Sequence, residues 1–300
     1  MRSELLKGAY DIHVHTAPDV LPRAQDVLDV AQQATAAGMG GVGIKDHTTS
    51  TAGRVFVLNR MFPSGPRFFS SIALNPPVGG LNPSAVDAAL QASVDIVYFP
   101  TYSARHQLQT LGIPLLPLPG GHFQGLSILD GTGALLSAVE QIVMIIIQHD
   151  AVLATGHLSP PESLALLQYA GDRGVRRMVV THASEAVPAM SVEDQVKAAA
   201  LGAFVEHSFF AVTDLSPAVV PLEHLRDQIR AVGCEHTILS SDFGQPANGP
   251  IVEGFAHYLE KLRQLGFSDE DLRLMIVENP RKLLRDRRNR SQVTEGQRHG

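Results

Sequence analysis

Short runs of β-branched and apolar residues alternate along this chain with stretches whose apolar positions recur every three or four residues. That alternation predicts βα units built around a parallel sheet. Strands are expected near 9–15, 40–47, 67–75, 94–100, 151–157, 176–182, 202–208 and 236–242. Their starts mostly lie about 25–35 residues apart, the length of one βα unit. The fourth gap is wider, with extra material between Thr101 and Gly133. It opens rich in Pro and Gly (IPLLPLPGGH) and continues as GLSILDGTG, which reads as a small β-hairpin excursion. A connection this long is commonly functional, as a lid or an oligomer contact.

Helix boundaries are well marked. Ser159-Pro160-Pro161-Glu162 carries a capping box with proline at the first helical position. Ser191 and Ser268 open further acidic helix starts, and Gly38, Gly174, Gly202, Gly233 and Gly266 stand where helices should stop. Residues 1–284 are read as one domain. The stretch 285–300 (RDRRNRSQVTEGQRHG) has no apolar period and is read as a disordered tail.

Six of the eight strands run into His or Asp: YDIHVH (10–15), GVGIKDH (41–47), AVLATGH (151–157), MVVTH (178–182), AFVEH (203–207) and TILSSD (237–242). VDIVYFPT (94–101) ends in neutral polar residues instead. Ionisable groups beside apolar runs are costly unless something pairs them, and a metal centre would do so. In an open sheet the first and last strands would stand more than roughly 30 Å apart, too far to share an ion. A closed (β/α)8 TIM-like barrel, distorted by the excursion between strands four and five, brings all carboxyl ends to one mouth.

Bulk properties narrow the classes. The 300 residues are 44% hydrophobic and 18% charged, as in a globular chain of α/β type. A net charge of -6 gives no reason to expect nucleic acid as a partner. Cys234 stands alone, so no internal disulfide forms and a reducing cytoplasm is expected. The opening MRSELLKGAYDIHVH lacks the apolar core of a signal peptide, and the apolar run Ile142 to Ile147 is too short to span a bilayer, so no membrane partner is expected.

His13-Val14-His15 is the most specific motif, because residues i and i+2 of a strand share a face and can reach one ion. His157 and His182 each terminate an apolar strand. One such His is more often structural; two on consecutive strands point to ligands, and neutral imidazole is the commonest nitrogen donor to zinc-like ions. Asp242 in LSSDFG can ligate a metal and accept a proton from its water. Lys45 and His47 share a face at the end of strand two. Lys45 is either carboxylated between metals or a plain ammonium facing a carboxylate or an anionic substrate. The metal candidates are therefore His13, His15, Lys45, His47, His157, His182 and Asp242, and the catalytic candidates Asp242, Lys45 and His207. Of Glu206 and His207 only one can face the mouth of a regular strand, and His207 is preferred. Asn75, Thr101, His106 and Ser159 sit in mouth-side loops, Arg54 could meet an anionic substrate, and His122 could be delivered by the excursion. His149, His224, His236, His257 and His299 are read as outside the site. The glycines of Gly38-Met39-Gly40-Gly41-Val42-Gly43 precede a strand and do not form a nucleotide loop. No Gly-x-Ser-x-Gly nucleophile elbow is present either.

The set His-x-His on strand one, His on strands five and six and Asp on strand eight resembles the amidohydrolase superfamily. Glu278-Asn279-Pro280-Arg281-Lys282-Leu283-Leu284 is similar to that superfamily's Asn-Pro-Ala-x-x-Leu ending. The resemblance implies a distorted (β/α)8 barrel holding one or two divalent ions, zinc foremost with Mn, Fe, Co or Ni open. Its activity would be hydrolysis of an amide, cyclic amide or lactone in a small molecule. One departure stands out. Strand four ends Tyr98-Phe99-Pro100-Thr101, without the bridging Lys or Glu of many two-metal members. That leaves room for a metal-dependent decarboxylase. The opening DIHVHTAPD and the later GIKDHTT also resemble the PHP phosphoesterases, with His47 and Asp46 matching their Thr-Asp-His motif. Strand three ends SIALN without the Glu or His of that family, so the amidohydrolase reading is preferred and a PHP-like phosphoesterase kept as an alternative. A purely structural metal protein is least favoured. The expected partner is a small molecule, with homo-oligomer formation through 102–133 left open.

Overall fold

The computed structural model describes residues 2–112 and 124–284, side chains from Glu4 onward. Its strands are β1 (Tyr10–His15), β2 (Gly41–Lys45), β3 (Arg67–Phe69, then Ser71–Ala73), β4 (Ile96–Tyr98), β5 (Val152–Ala154), β6 (Met178–Val180), β7 (Ala203–Ser208) and β8 (Thr237–Ser240). All neighbouring strands pair in parallel, in chain order. The ladder is interrupted at Ser70, whose carbonyl accepts from Asp95 N and Ile96 N while its own N–H donates to the Asp95 carboxylate. This break divides the eight strands into a three-stranded and a longer sheet.

The two sheets also meet at the other seam. Past the end of β8, Asp242 N donates to His13 O at 3.0 Å and His15 N donates to Phe243 O at 2.8 Å. Val14 and Phe243 thus form a parallel bridge between the last and first strands. The protein is a (β/α)8-type barrel with its carboxyl strand ends round one mouth.

Burial on both faces explains the near-continuous apolar strands. Inward residues Ile12, Phe69, Ile96, Tyr98, Val152, Val179 and Ile238 fill the barrel. Leu283 and Leu284 pack into the same cluster from the far end, where Asn279 Nδ2 donates to Thr237 O at the start of β8. Outside the barrel, helix Ile251–Gln264 contributes Phe255, Tyr258 and Leu259 to one layer, and helix Ser137–His149 contributes Ile142, Val143 and Ile146 to another. Each such side chain contributes about 1.5–3 kcal/mol by leaving water. The capping boxes at Ser159 and Ser268 form, and Ser191 caps helix Val192–Ala200.

The excursion departs from its expected form. A helix, Arg105–Leu111, follows β4, and the anticipated hairpin reduces to one antiparallel bridge between Leu129 and Leu135. Asp130 takes up the local backbone donors instead, accepting from Thr132 N and Ala134 N. His122, His299 and the tail 285–300 lie outside the described residues. Among the described residues, no helix is long and apolar enough to cross a membrane.

Candidate metal centre

The mouth of the barrel opens into a cavity of about 520 Å³. Its floor is polar, with His15, Lys45, His47, His157, His182 and Asp242, while Leu21, Leu111, Val187, Phe210, Leu215 and Pro246 supply apolar walls. Strand ends deliver the polar groups, and two of them are held in backbone conformations that L-residues seldom adopt. His182 has φ 29° and Asp242 φ 51°, so the chain turns sharply where each side chain enters the cavity.

On one side, His13 and His15 project from β1 as the two-residue period requires. Each Nε2 lies 3.0 Å from Asp242 Oδ1. That oxygen nevertheless has no hydrogen-bond partner of acceptable geometry, and neither has His15 Nδ1. Donor atoms that crowd without aligning are arranged round a common point, not bonded to one another. Lys45 Nζ sits 2.9 Å from His13 Nε2 and 4.7 Å above the Tyr98 ring. On the other side, His157 Nε2 and His182 Nε2 are 3.1 Å apart, with His157 Nδ1 held by Gln107 Oε1 at 2.8 Å. His47 stacks between the rings of His15 and Tyr102, its Nδ1 2.9 Å from Thr101 Oγ1.

The electrostatics follow from burial. Loss of water drives His15 down to about 3 and His182 to about 4, and lowers His47 and His157 well below the ordinary imidazole value. These rings are neutral at physiological pH, the form a metal requires. Burial also lowers Lys45. For His13 burial acts downward too, but the Asp242 carboxylate outweighs it and leaves the ring raised. Burial would raise Asp242, yet His13 and His15 hold it well below the usual carboxylate range.

Two groups of three among the described residues bring nitrogen and oxygen ligand atoms within 4.8 Å of one another: His13, His15 and Asp242, and His182, Glu185 and Asp242. Neutral imidazoles, a shared carboxylate and unsatisfied buried ligand atoms fit a divalent ion.

Several expected residues sit elsewhere. His207 is turned away from the mouth, because β7 is regular there and Glu206 takes the inward face. The His207 ring meets Ser184 Oγ at 2.6 Å, and that hydroxyl reaches Gln228 of helix Leu222–Val232. His207 therefore does not line the cavity, and the catalytic contact expected of it is not made. Arg54 is tied to Asp46, whose carboxylate also accepts from Thr48 N. Ser159 is spent as a helix cap, and His106 approaches Pro188 O. Asn75 and Thr101 act beneath the cavity: Asn75 Nδ2 donates to His47 O and to Thr101 Oγ1.

Residues that sequence reasoning ranked low, as Glu206, or passed over complete the centre. Glu206 bonds His13 Nδ1 at 2.9 Å; burial would raise its carboxyl, but His13 holds it at about 2. Glu185, three residues after His182, lies with Oε2 3.7 Å from His182 Nδ1, and burial together with Asp242 pushes it well above its ordinary value. A carboxylate so soon after a strand-end histidine was the available signal. Arg23, ion-paired to Asp19, and Tyr102 line the same cavity.

Comparisons with known proteins agree with this architecture. Residues 8–206 match the family described as "Family of unknown function (DUF6282)". Residues 133–284 match the "Phosphotriesterase family". No curated protein matches the chain. Among solved structures, an amidohydrolase from Pseudomonas aeruginosa superposes with a TM-score of 0.63 at 12% identity, over 95% of this chain and 98% of that one. An organophosphorus hydrolase from Deinococcus radiodurans gives 0.56 at 12% identity, over 94% and 93% of the two chains. A 2,6-dihydroxybenzoate decarboxylase from Rhizobium gives 0.55 at 11% identity, over 92% and 98%. None of these matches carries the PHP-like reading of the opening motif.

Proposed function

From the premise that this chain belongs to the DUF6282 family and to the phosphotriesterase family, and so is a metal-dependent hydrolase of amidohydrolase type, we propose that it cleaves an amide, cyclic amide or lactone bond in a small molecule. The observation that carries this reading is the approach of His13 Nε2 and His15 Nε2 to one oxygen of Asp242, at the floor of a largely apolar cavity. His13, His15 and Asp242 would hold one divalent ion, and His157 and His182, with Glu185 beside them, a second. Zinc suits such ligands best. When bound, the ion supplies Lewis acidity and makes water acidic enough to deprotonate near neutral pH.

The chain's own groups do the rest. Asp242 accepts the proton of the attacking water at its carboxylate and returns it to the leaving nitrogen or oxygen. Lys45, on the same floor, polarises the scissile carbonyl through its Nζ–H. Leu21, Leu111, Val187 and Phe210 hold the substrate body and exclude water, which strengthens each charge interaction beneath them.

A second reading, decarboxylation of a small carboxylic acid, is favoured by one feature. Thr101 stands after β4 where many two-metal members place a bridging Lys or Glu, and it is engaged with His47 and Asn75. The test is elemental analysis of purified protein joined to a substrate panel of lactones, cyclic amides, phosphotriesters and aromatic acids. Lactone or amide turnover that stops on chelation supports the first reading. Carbon dioxide release with one ion per chain replaces it with the second.

A further inference from the structure

Glu206 is buried at 1% exposure on the inward face of β7, and three donors from three different strands or strand ends converge on it. His13 Nδ1 lies 2.9 Å from Oε1, Ser240 Oγ donates to the same oxygen at 2.6 Å, and the backbone N–H of His182 donates to Oε2 at 2.9 Å. The peptide N–H is an obligate donor, so Oε2 serves as an acceptor. A carboxylate is acceptor-only and matches all three partners.

We propose that Glu206 is the positioning residue of the metal centre, fixing the tautomer of His13 and the backbone entry of His182 at the same time. This rests on the metal-hydrolase reading above. Glu206 does not itself line the cavity and acts through the histidines. By accepting Nδ1–H it leaves the His13 lone pair on Nε2, the atom that faces Asp242 Oδ1 at 3.0 Å. Lys45 Nζ, 2.9 Å from Nε2, meets that lone pair as a donor, which agrees with the same tautomer. Through Oε2 the carboxylate also anchors the residue whose left-handed backbone turns His182 into the cavity. One side chain thereby sets the spacing between the two candidate ion seats.

The test is Glu206→Gln, which keeps the volume but places an amide NH2 against one of three donors. Zinc affinity, read by chelator competition, should fall about 10–100-fold. The absorption bands of the cobalt-loaded protein should shift, whereas the buried donor–donor clash should lower the melting midpoint of the metal-free protein by only a few degrees. Unchanged zinc affinity and cobalt spectrum, with or without a fall in the metal-free midpoint, would overturn the proposal and leave Glu206 a purely structural residue. If Glu206→Gln does not fold, Ser240→Ala removes a single bond to the carboxylate and should weaken zinc by a smaller factor; unaltered affinity there overturns it equally. A parent protein that binds neither zinc nor cobalt defeats the underlying metal reading, an outcome distinct from a parent that binds and a variant that binds as well.

Discussion

His157 Nε2 faces His182 Nε2 at 3.1 Å across the ends of β5 and β6. Two imidazole nitrogens at that distance cannot both carry hydrogen. Either they share one proton or they turn two lone pairs on one cation. Burial keeps both rings neutral near pH 7, and Gln107 Oε1 accepts the Nδ1–H of His157, which leaves a lone pair on His157 Nε2 for a cation.

His182→Asn should therefore lower the metal-to-chain ratio of the purified protein, by about one ion if two are bound. Zinc at a thousandfold excess over its dissociation constant should stabilise the parent by about 4 kcal/mol and the variant by less. Elemental analysis and thermal melts with and without zinc check both statements. A parent midpoint indifferent to zinc would remove the second seat from the argument.

Asp242→Asn tests the proton route. The amide keeps an oxygen for the ion but cannot take a proton, so kcat/KM should fall about 10²–10⁴-fold. The circular dichroism spectrum should be unchanged, because Asp242 joins the fold mainly through its backbone N–H to His13 O. Turnover within tenfold of the parent would exclude the carboxylate as base.

The barrel was legible because its signals are local: β-branched runs, capping serines and glycine stops each report on a few neighbouring residues. The ligand candidates were legible because strand ends converge in any barrel, so position along a strand stands in for position in space. What lay beyond the sequence was which face a residue takes. Glu206 and His207 are neighbours in one strand, and only the observed pleat shows the carboxylate turned inward and the imidazole toward Ser184. Gln107 was hidden for another reason: its helix belongs to the excursion, whose fold depends on non-local contacts with His157 and the loop at Leu126.

Acid should destabilise the metal-free protein. His15 at about 3 and His182 at about 4 have folded values below the ordinary 6.5, as does His207 at about 4, all through burial. Below pH 6.5 the unfolded chain binds protons that the folded chain refuses, so stability falls as pH drops toward 4. Each histidine costs about 1.4 kcal/mol per pH unit in that window. Asp11, raised by burial to about 7, acts oppositely, favouring the fold below its own value, and so do Glu185 and His13, whose folded values are also raised. His15, His47, His157, His182 and His207, all lowered, outnumber these three, and urea midpoints at pH 7.5, 6 and 5 should decrease in that order. A rising series would contradict the buried, neutral rings.

Asn75 holds the loops beneath His47. Its Oδ1 accepts from Thr101 N, Ser103 N and Ser103 Oγ, and its Nδ2 donates to His47 O. Asn75→Ala strands several buried groups, at about 1–3 kcal/mol each, and should lower the melting midpoint by several degrees. Asn75→Asp keeps the acceptor but not the donor and should fall between. Equal midpoints for the parent and the alanine variant would show that water replaces the side chain.

Gly156 precedes His157 and separates two effects of adding a methyl group. Its φ is 64°, and a Cβ there would stand 2.2 Å from Phe99 O and 2.7 Å from Pro100 O. Gly156→Ala must therefore push the end of β5 away from β4, straining the bond from His157 N to Pro100 O. The variant should lose stability and also bind zinc more weakly, because His157 moves with its backbone. Gly174→Ala is the control: its φ is 93°, but nothing lies within 4 Å of the added carbon. It should cost only about 1–2 kcal/mol of conformational energy and leave zinc affinity unaltered. Melting curves and chelator competition on the two variants make the comparison. Equal zinc affinity in both would mean that the His157 ring is positioned by Gln107 alone, whatever its backbone does.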